Sequence, residues 1–370
     1  MVAQTNQKKS YIRVLVVDDS PTARDLLVAI LQDSGNILVV GTGANGEDAV
    51  RLAHRLHPDL VTLDVDMPVM DGLEATRRIM RECPTPIVII SASLKHKEMD
   101  LTFQALQAGA LQVIGKPGLN DPDLSSKVVE TVRLMANVPV IHHWGRMTDV
   151  KSRPAATTDV KKVLGPNSPN LSNRDVIGIA ASTGGPSALA TLLRPLAADF
   201  PVPILLVQHV SPGFAPGLAD WLAEQTKLRV EIAAHGEKFK PGTALLAPDD
   251  YHMQINERGV VELIKEAPYK GLRPSANYLF SSLAKVFGPR AAGFILTGMG
   301  DDGADGLEAM HSSGAVTFAQ DEESCVVFGM PHEAIVRNAV DYVMNLDQMS
   351  AILTRLNPVS SLASSKEAAG

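Results

Sequence analysis

"VIGIAASTGG", residues 176–185, runs apolar for six positions and then stops at Ser182, Thr183 and two glycines. The run is short, rich in Val and Ile and bounded by glycine, which reads as a buried strand. The next residues, "GGPSALATLLRPL", carry a helical pattern, so the serine sits on a strand-to-helix turn. Alternating strands and helices imply a parallel sheet, because parallel neighbours need crossover connections. The same alternation continues through "PILLVQ" (203–208), "TALLA" (243–247), "VVELI" (260–264), "AGFILT" (292–297) and "AVTFA" (315–319). Residues 175–357 therefore read as one α/β domain, followed by a tail at 358–370 that is expected to be disordered.

An earlier alternation occupies residues 11–140. Its strands are expected at "IRVLVV" (12–17), "ILVVG" (37–41), "LVTL" (60–63), "IVII" (87–90) and "LQVIG" (111–115), with amphipathic segments such as "GEDAVRLAHRLH" between them. This too predicts a doubly wound parallel sheet. Residues 141–174 lose the apolar period and are rich in Pro, Ser, Thr, Asn and Lys, as a linker would be. The fold class is thus α/β, with two doubly wound parallel-sheet domains. A length of 370 residues suits two domains. The net charge of −7 argues against nucleic acid as a partner. Two distant cysteines, Cys83 and Cys325, offer neither a metal spacing nor a disulfide framework. The polar start and the lack of a long apolar run lead to the expectation of a cytoplasmic chain without membrane insertion.

In open parallel sheets, chemistry gathers beyond the carboxyl ends of the strands. In the first domain those ends carry Asp18 and Asp19, Asp64, Ser91 and Lys116. Each alone has a bland reading, such as a helix cap or a solvated loop. Together they make an acidic pocket suited to a hard cation, with a lysine and a hydroxyl to meet phosphate oxygens. The stretches "VLVVDDSPTAR", "LVTLDVDMPVMDGLEATRRI", "IVIISAS" and "VIGKP" resemble the receiver domain of response regulators, a flavodoxin-like fold. That resemblance implies Asp64 as the phosphoacceptor, charged by a histidine kinase. It implies Mg²⁺ held by Asp19 directly, by Asp18 partly through water, by Asp64, and by the backbone carbonyl of Asp66. Ser91 and Lys116 would read the phosphate, across a cis Lys116–Pro117 bond. Val113 stands where receivers often carry an aromatic switch residue.

For Ser182 three readings compete: a helix cap, a phosphate cradle and a nucleophile. The stretch fails G-x-G-x-x-G, has no Walker lysine, and has Ala180 where a strict nucleophile elbow wants glycine. A small-residue turn at a helix start still attracts anions. A serine nucleophile needs a base and a carboxylate to orient it. Of the ten histidines, His209 alone directly follows a strongly apolar strand. Asp301 and Asp302 lie just past another, in "GFILTGMGDDGADG", a loop whose spacing does not fit an EF-hand.

The segments "GIAASTGGPSAL", "VQHVSPGFAPGLADWL", "RPSANYLF", "ILTGMGDDGADGL" and "AQDEESCVVFGMPHEAI" resemble the chemotaxis protein-glutamate methylesterases, with a Rossmann-like catalytic domain. The resemblance implies Ser182 as nucleophile, His209 as general base and Asp302 as its orienting carboxylate. The N–H groups of Thr183 and Met299 would form the oxyanion hole. It further implies demethylation of receptor glutamyl esters and deamidation of glutamines, with no cofactor for that step. An unphosphorylated receiver is expected to block the catalytic cleft. Leu272 before "RPS" and the acidic "APDDYH" depart from the commoner pattern. A catalytically dead binding module and a nucleotide- or DNA-binding effector are the rival readings.

Overall fold

The computed structural model describes residues 11–91, 96–118, 120–138, 140, 169 and 171–357. The tail and most of the expected linker lie outside the described residues. The chain divides into two compact units, Met1–Val150 and Lys151–Gly370.

The first unit contains five strands: β1 (Ile12–Val17), β2 (Ile37–Gly43), β3 (Leu60–Leu63), β4 (Ile87–Ser91) and β5 (Gln112–Gly115). They pair in the order β2-β1-β3-β4-β5, all parallel. The crossovers hold α1 (Pro21–Asp33), α2 (Gly46–Leu56), α3 (Gly72–Glu82) and α4 (His96–Gln107), and α5 (Pro122–Met135) follows β5. Strands β1, β3 and β4 are buried almost throughout, as continuous apolar runs between helices must be. The strand order reverses between β1 and β3, which run parallel, so Asp18 and Asp64 leave the sheet side by side.

The second unit has a seven-stranded parallel sheet in the order β14-β13-β12-β6-β7-β9-β8. Its central strands are β6 (Val176–Ala181), β7 (Ile204–Gln208) and β12 (Ala291–Ile295), flanked by β9 (Thr243–Leu246) and β13 (Val316–Gln320). The outermost strands, β8 (Arg229–Ile232) and β14 (Tyr342–Met344), escape sequence reading because "RVEI" and "YVM" are short and only half buried. One expectation needs correction. "VVELI" is not in the main sheet: β11 (Val261–Ile264) pairs antiparallel with β10 (His252–Ile255) as a separate hairpin. Its apolar character comes from packing on the core below it, where Met253, Ile255 and Val261 are buried. The helices are α6 (Gly185–Leu193), α7 (Ala215–Gln225), α8 (Ala276–Phe287), α9 (Ala304–Ser312), α10 (Met330–Val336) and α11 (Leu346–Thr354). No helix among the described residues is long and apolar enough to cross a membrane.

Candidate active site and phosphoacceptor pocket

Caps decide which polar groups at the strand ends remain available. In the first unit Ser20 caps α1, accepting from Ala23 N, and Pro21 supplies the preset first turn. The two aspartates before it are thereby released from capping. Asp18 accepts from Ser20 N at 2.9 Å through Oδ1 and is fully buried. Lys116, after β5, reaches both neighbours: its Nζ lies 2.6 Å from Asp64 Oδ2 and 2.9 Å from Asp18 Oδ2. Asp64 Oδ1 accepts the Val65 N–H at 2.8 Å. Burial pushes Asp64 up to about 6; Lys116 and Val65 pull it down, and the Asp18 charge adds to the rise. Lys116 feels burial in the opposite sense, yet its bonds to Asp18 and Asp64 hold the ammonium above its ordinary range.

Oxygens of Asp18, Asp19 and Asp64 lie within 4.8 Å of one another. One lysine, shared between Asp18 and Asp64, does not neutralise three carboxylates. An oxygen-only set with one exposed member, Asp19, fits a hard divalent ion. The exposed Asp66 side chain is not part of this cluster. Ser91 is buried at the end of β4, and its carbonyl accepts the Lys116 N–H at 2.9 Å. The cis Lys116–Pro117 expectation is overturned: the cis peptide among the described residues is Arg273–Pro274. Lys116 makes both carboxylate contacts from a trans bond, so its placement does not require the cis isomer.

In the second unit the cap reading of Ser182 fails. The N-cap of α6 is Gly184, at φ +76°, and no side chain caps it. A Cβ on Gly184 would also stand 2.6 Å from Val326, so the turn depends on glycine twice over. Ser182 leaves β6 one residue past the Ala181–Gln208 register pair, which puts His209 beside it. Ser182 N donates to Thr297 O at 3.0 Å, tying the turn to the strand on its other side. Gln208 braces both strand ends: its Nε2 donates to Ser182 O at 2.7 Å and to His209 O at 3.0 Å.

His209 Nε2 lies 2.8 Å from Asp302 Oδ2. A carboxylate only accepts, so Nε2 carries the hydrogen and Nδ1 is left as the basic nitrogen. Among the described residues no hydrogen bond joins Ser182 Oγ to the imidazole, an open geometry that is common at such sites without substrate. Asp302 is 1% exposed. Burial opposes its charge, but donations from His209, Ser275 and Ala276 outweigh burial and hold it below the usual carboxylate range. Ser275 Oγ donates to Oδ1 at 2.6 Å and Ala276 N to Oδ2 at 2.7 Å, so the carboxylate sits at the start of α8. Asp301 points elsewhere, pairing with Lys270 and Arg337. Thr183 is buried and Met299 half-buried; among the described residues neither backbone N–H donates to a protein acceptor.

Sequence reasoning missed Gln208, Ser275, His252 and Asp249. Asp249, after β9, accepts from Gly213 N at 2.7 Å and so fixes the turn that follows His209. The apolar-strand signal finds residues at strand ends, not those that reach back to brace them. Cys325 is close in sequence to this region, but burial pushes its thiol up to about 12, which makes it unreactive.

An acidic pocket with its lysine and a serine–histidine–aspartate arrangement, each at the carboxyl edge of a parallel sheet, fit one class: a receiver joined to a hydrolytic α/β domain. Comparisons agree. Residues 177–353 match the family "CheB methylesterase" and residues 14–128 the "Response regulator receiver domain". A "Protein-glutamate methylesterase/protein-glutamine glutaminase 1" of Syntrophus aciditrophicus is 44% identical over 349 residues, covering 93% of this chain and 98% of that protein. A Nitrosospira multiformis relative of the same description is 43% identical, over 93% and 97%. The crystal structure of the Thermotoga maritima CheB methylesterase catalytic domain is similar at 36% identity and TM-score 0.47, covering 50% of this chain and 98% of that one. This chain belongs to the receiver-linked protein-glutamate methylesterase/protein-glutamine glutaminase family.

Proposed function

We propose that this protein hydrolyses γ-glutamyl methyl esters on chemoreceptors, releasing methanol, and deamidates selected receptor glutamines, under control of phosphorylation at Asp64. The observation that carries the reading is the 2.8 Å His209–Asp302 pair, on the strand next to an uncapped Ser182. In the first half-reaction His209 Nδ1 takes the Ser182 hydroxyl proton while Oγ bonds to the ester carbonyl carbon. The tetrahedral oxyanion is met by the Thr183 and Met299 N–H groups. The C–O bond to methoxide then breaks, and the imidazolium returns its proton so that methanol leaves. In the second half-reaction a water gives its proton to Nδ1, adds to the acyl carbon, and Ser182 departs reprotonated. The free γ-carboxylate remains on the receptor. A glutamine amide follows the same course with ammonia as the leaving group. Asp302 keeps the imidazole in one tautomer and stabilises its cation throughout.

In the receiver, Asp18, Asp19 and Asp64 would hold Mg²⁺ together with the Asp66 carbonyl. When bound, the ion would supply charge neutralisation to phosphoryl oxygens. Asp64 Oδ bonds to phosphorus as the phosphohistidine P–N bond of a chemotaxis kinase breaks. Lys116, already paired with Asp64, moves onto a phosphoryl oxygen, with the Ser91 hydroxyl on another. Relief of a block on the catalytic cleft is the regulatory outcome.

Methanol release from methylated receptor membranes tests the chemistry. A Ser182→Ala protein is expected to lose release while staying folded. Retained release would remove Ser182 from the mechanism.

A further inference from the structure

The β10–β11 hairpin lies outside the main sheet, yet it contributes a histidine to the surroundings of Asp302. His252 is fully buried, and its ring stacks on Tyr278 of α8 at 3.9 Å between centroids and 15° between planes. Both ring nitrogens meet partners of fixed polarity. The Ser275 N–H, which only donates, approaches Nδ1 at 3.1 Å. The Ala267 carbonyl, which only accepts, lies 3.1 Å from Nε2. The ring is therefore neutral, with its hydrogen on Nε2. Ser275, also fully buried, passes this constraint on, because its Oγ donates to Asp302 Oδ1 and Asp302 Oδ2 receives His209.

We propose that His252 is a positioning residue for the hydrolysis: as a neutral ring it holds Ser275 in the orientation that aims Asp302 at His209. The proposal rests on the Ser182–His209–Asp302 reading given above. A proton on Nδ1 would set two hydrogens against each other at Ser275 and break the chain at its second link. The groups around the ring resist that proton on balance. Burial and the Arg273 guanidinium disfavour the cation, while the Ala267 carbonyl and the charges of Asp302 and Glu266 favour it, and the net effect lowers the ring below the ordinary histidine range. Tyr278, the stacking partner, is itself committed to Glu266 through its hydroxyl at 2.9 Å.

The test uses the full-length chain on methylated receptor membranes, with kcat and KM for methanol release followed across pH. His252→Phe keeps the stacking plane but leaves the Ser275 N–H without an acceptor. It is expected to lower kcat about 10- to 100-fold with KM unchanged, since misaiming by a fraction of an ångström is costly at this distance from the reacting atoms. Its kcat profile across pH should shift as well, because a loosened Asp302 no longer meets its imidazole partner in the same geometry. His252→Asn, whose Oδ1 can accept from Ser275 N, should recover most of the loss. Ser275→Ala, which keeps the backbone N–H, should reproduce both the kcat loss and the pH shift, and it serves where the phenylalanine variant does not fold. Variants with wild-type kcat per folded molecule and an unmoved pH profile would overturn the positioning role. If Ser182→Ala retained activity, the underlying triad reading would fall instead.

Discussion

Asp64 and Asp302 are the same residue type at the same kind of place, a carboxylate at the open edge of a parallel sheet. Their environments drive them in opposite directions. Both are buried, and burial alone raises both. Asp64 shares one lysine with Asp18, and its carboxyl is pushed up to about 6. Asp302 accepts from His209, Ser275 and Ala276, and it is held below the carboxylate range despite being the more enclosed. The number of donors aimed at a carboxylate, rather than its depth, sets its charge. The first carboxylate is left short of donors, as the proposed cation and phosphoryl group would require. The second has its donors in place, as the proposed orienting role would require.

The largest break in this comparison is Asp302→Asn. The amide can present its NH₂ to His209 and so impose the wrong tautomer, and kcat should fall on the order of 10⁴-fold with little change in fold. Activity within tenfold of wild type would show that the donor set around Asp302 has no catalytic purpose. Gly298→Ala comes next. Its new Cβ would stand 2.3 Å from Met330 Sδ and 2.8 Å from Ser182 Cβ, displacing the nucleophile and the Met299 N–H together. A loss of about 10²- to 10³-fold in kcat is expected, measured by methanol release.

The first pocket responds in the other direction. Asp64→Asn removes a buried negative charge that has too few donors, so in EDTA at pH 7.5 the receiver unit should become more stable. Calorimetry should show its transition several degrees higher; an unchanged or lower transition would mean that Lys116 already compensates Asp64. The smallest effect is one of pH. The folded pKa of Asp302 lies below its ordinary value of 3.8. Its contribution is therefore fully present above about pH 4 and is lost as pH falls through the lowered value. Urea unfolding of the catalytic unit should show a steeper acid decline in the wild type than in Asp302→Asn.

Much of both sites was legible because each rests on a repeated rule: an apolar run ends, and the next polar residue stands at the sheet edge. Asp18, Asp64, Lys116, Ser182 and His209 obey it, whereas Asp302 stands further along the loop that leaves β12, beyond Thr297 and Asp301. What was not legible depends on long-range pairing. His252 and Ser275 lie 50 and 27 residues before Asp302 in sequence, on elements whose contact with it no local pattern announces. The hairpin was read as one strand of the main sheet because "VVELI" is apolar, and nothing in that run distinguishes a parallel from an antiparallel partner. Cap assignment depends on backbone angles that the sequence does not carry. Ser20 in one unit and Gly184 in the other take the capping positions, which leaves Asp18 and Ser182 out of that duty.

Phosphorylation at Asp64 in the first unit is proposed to govern Ser182 in the second, and the rate of methanol release from methylated receptor membranes, with Mg²⁺ present, before and after addition of acetyl phosphate tests that control. A higher rate after addition is expected in the wild type and no response in Asp64→Asn. Equal rates in the wild type, or an acetyl-phosphate response that survives in Asp64→Asn, would contradict it.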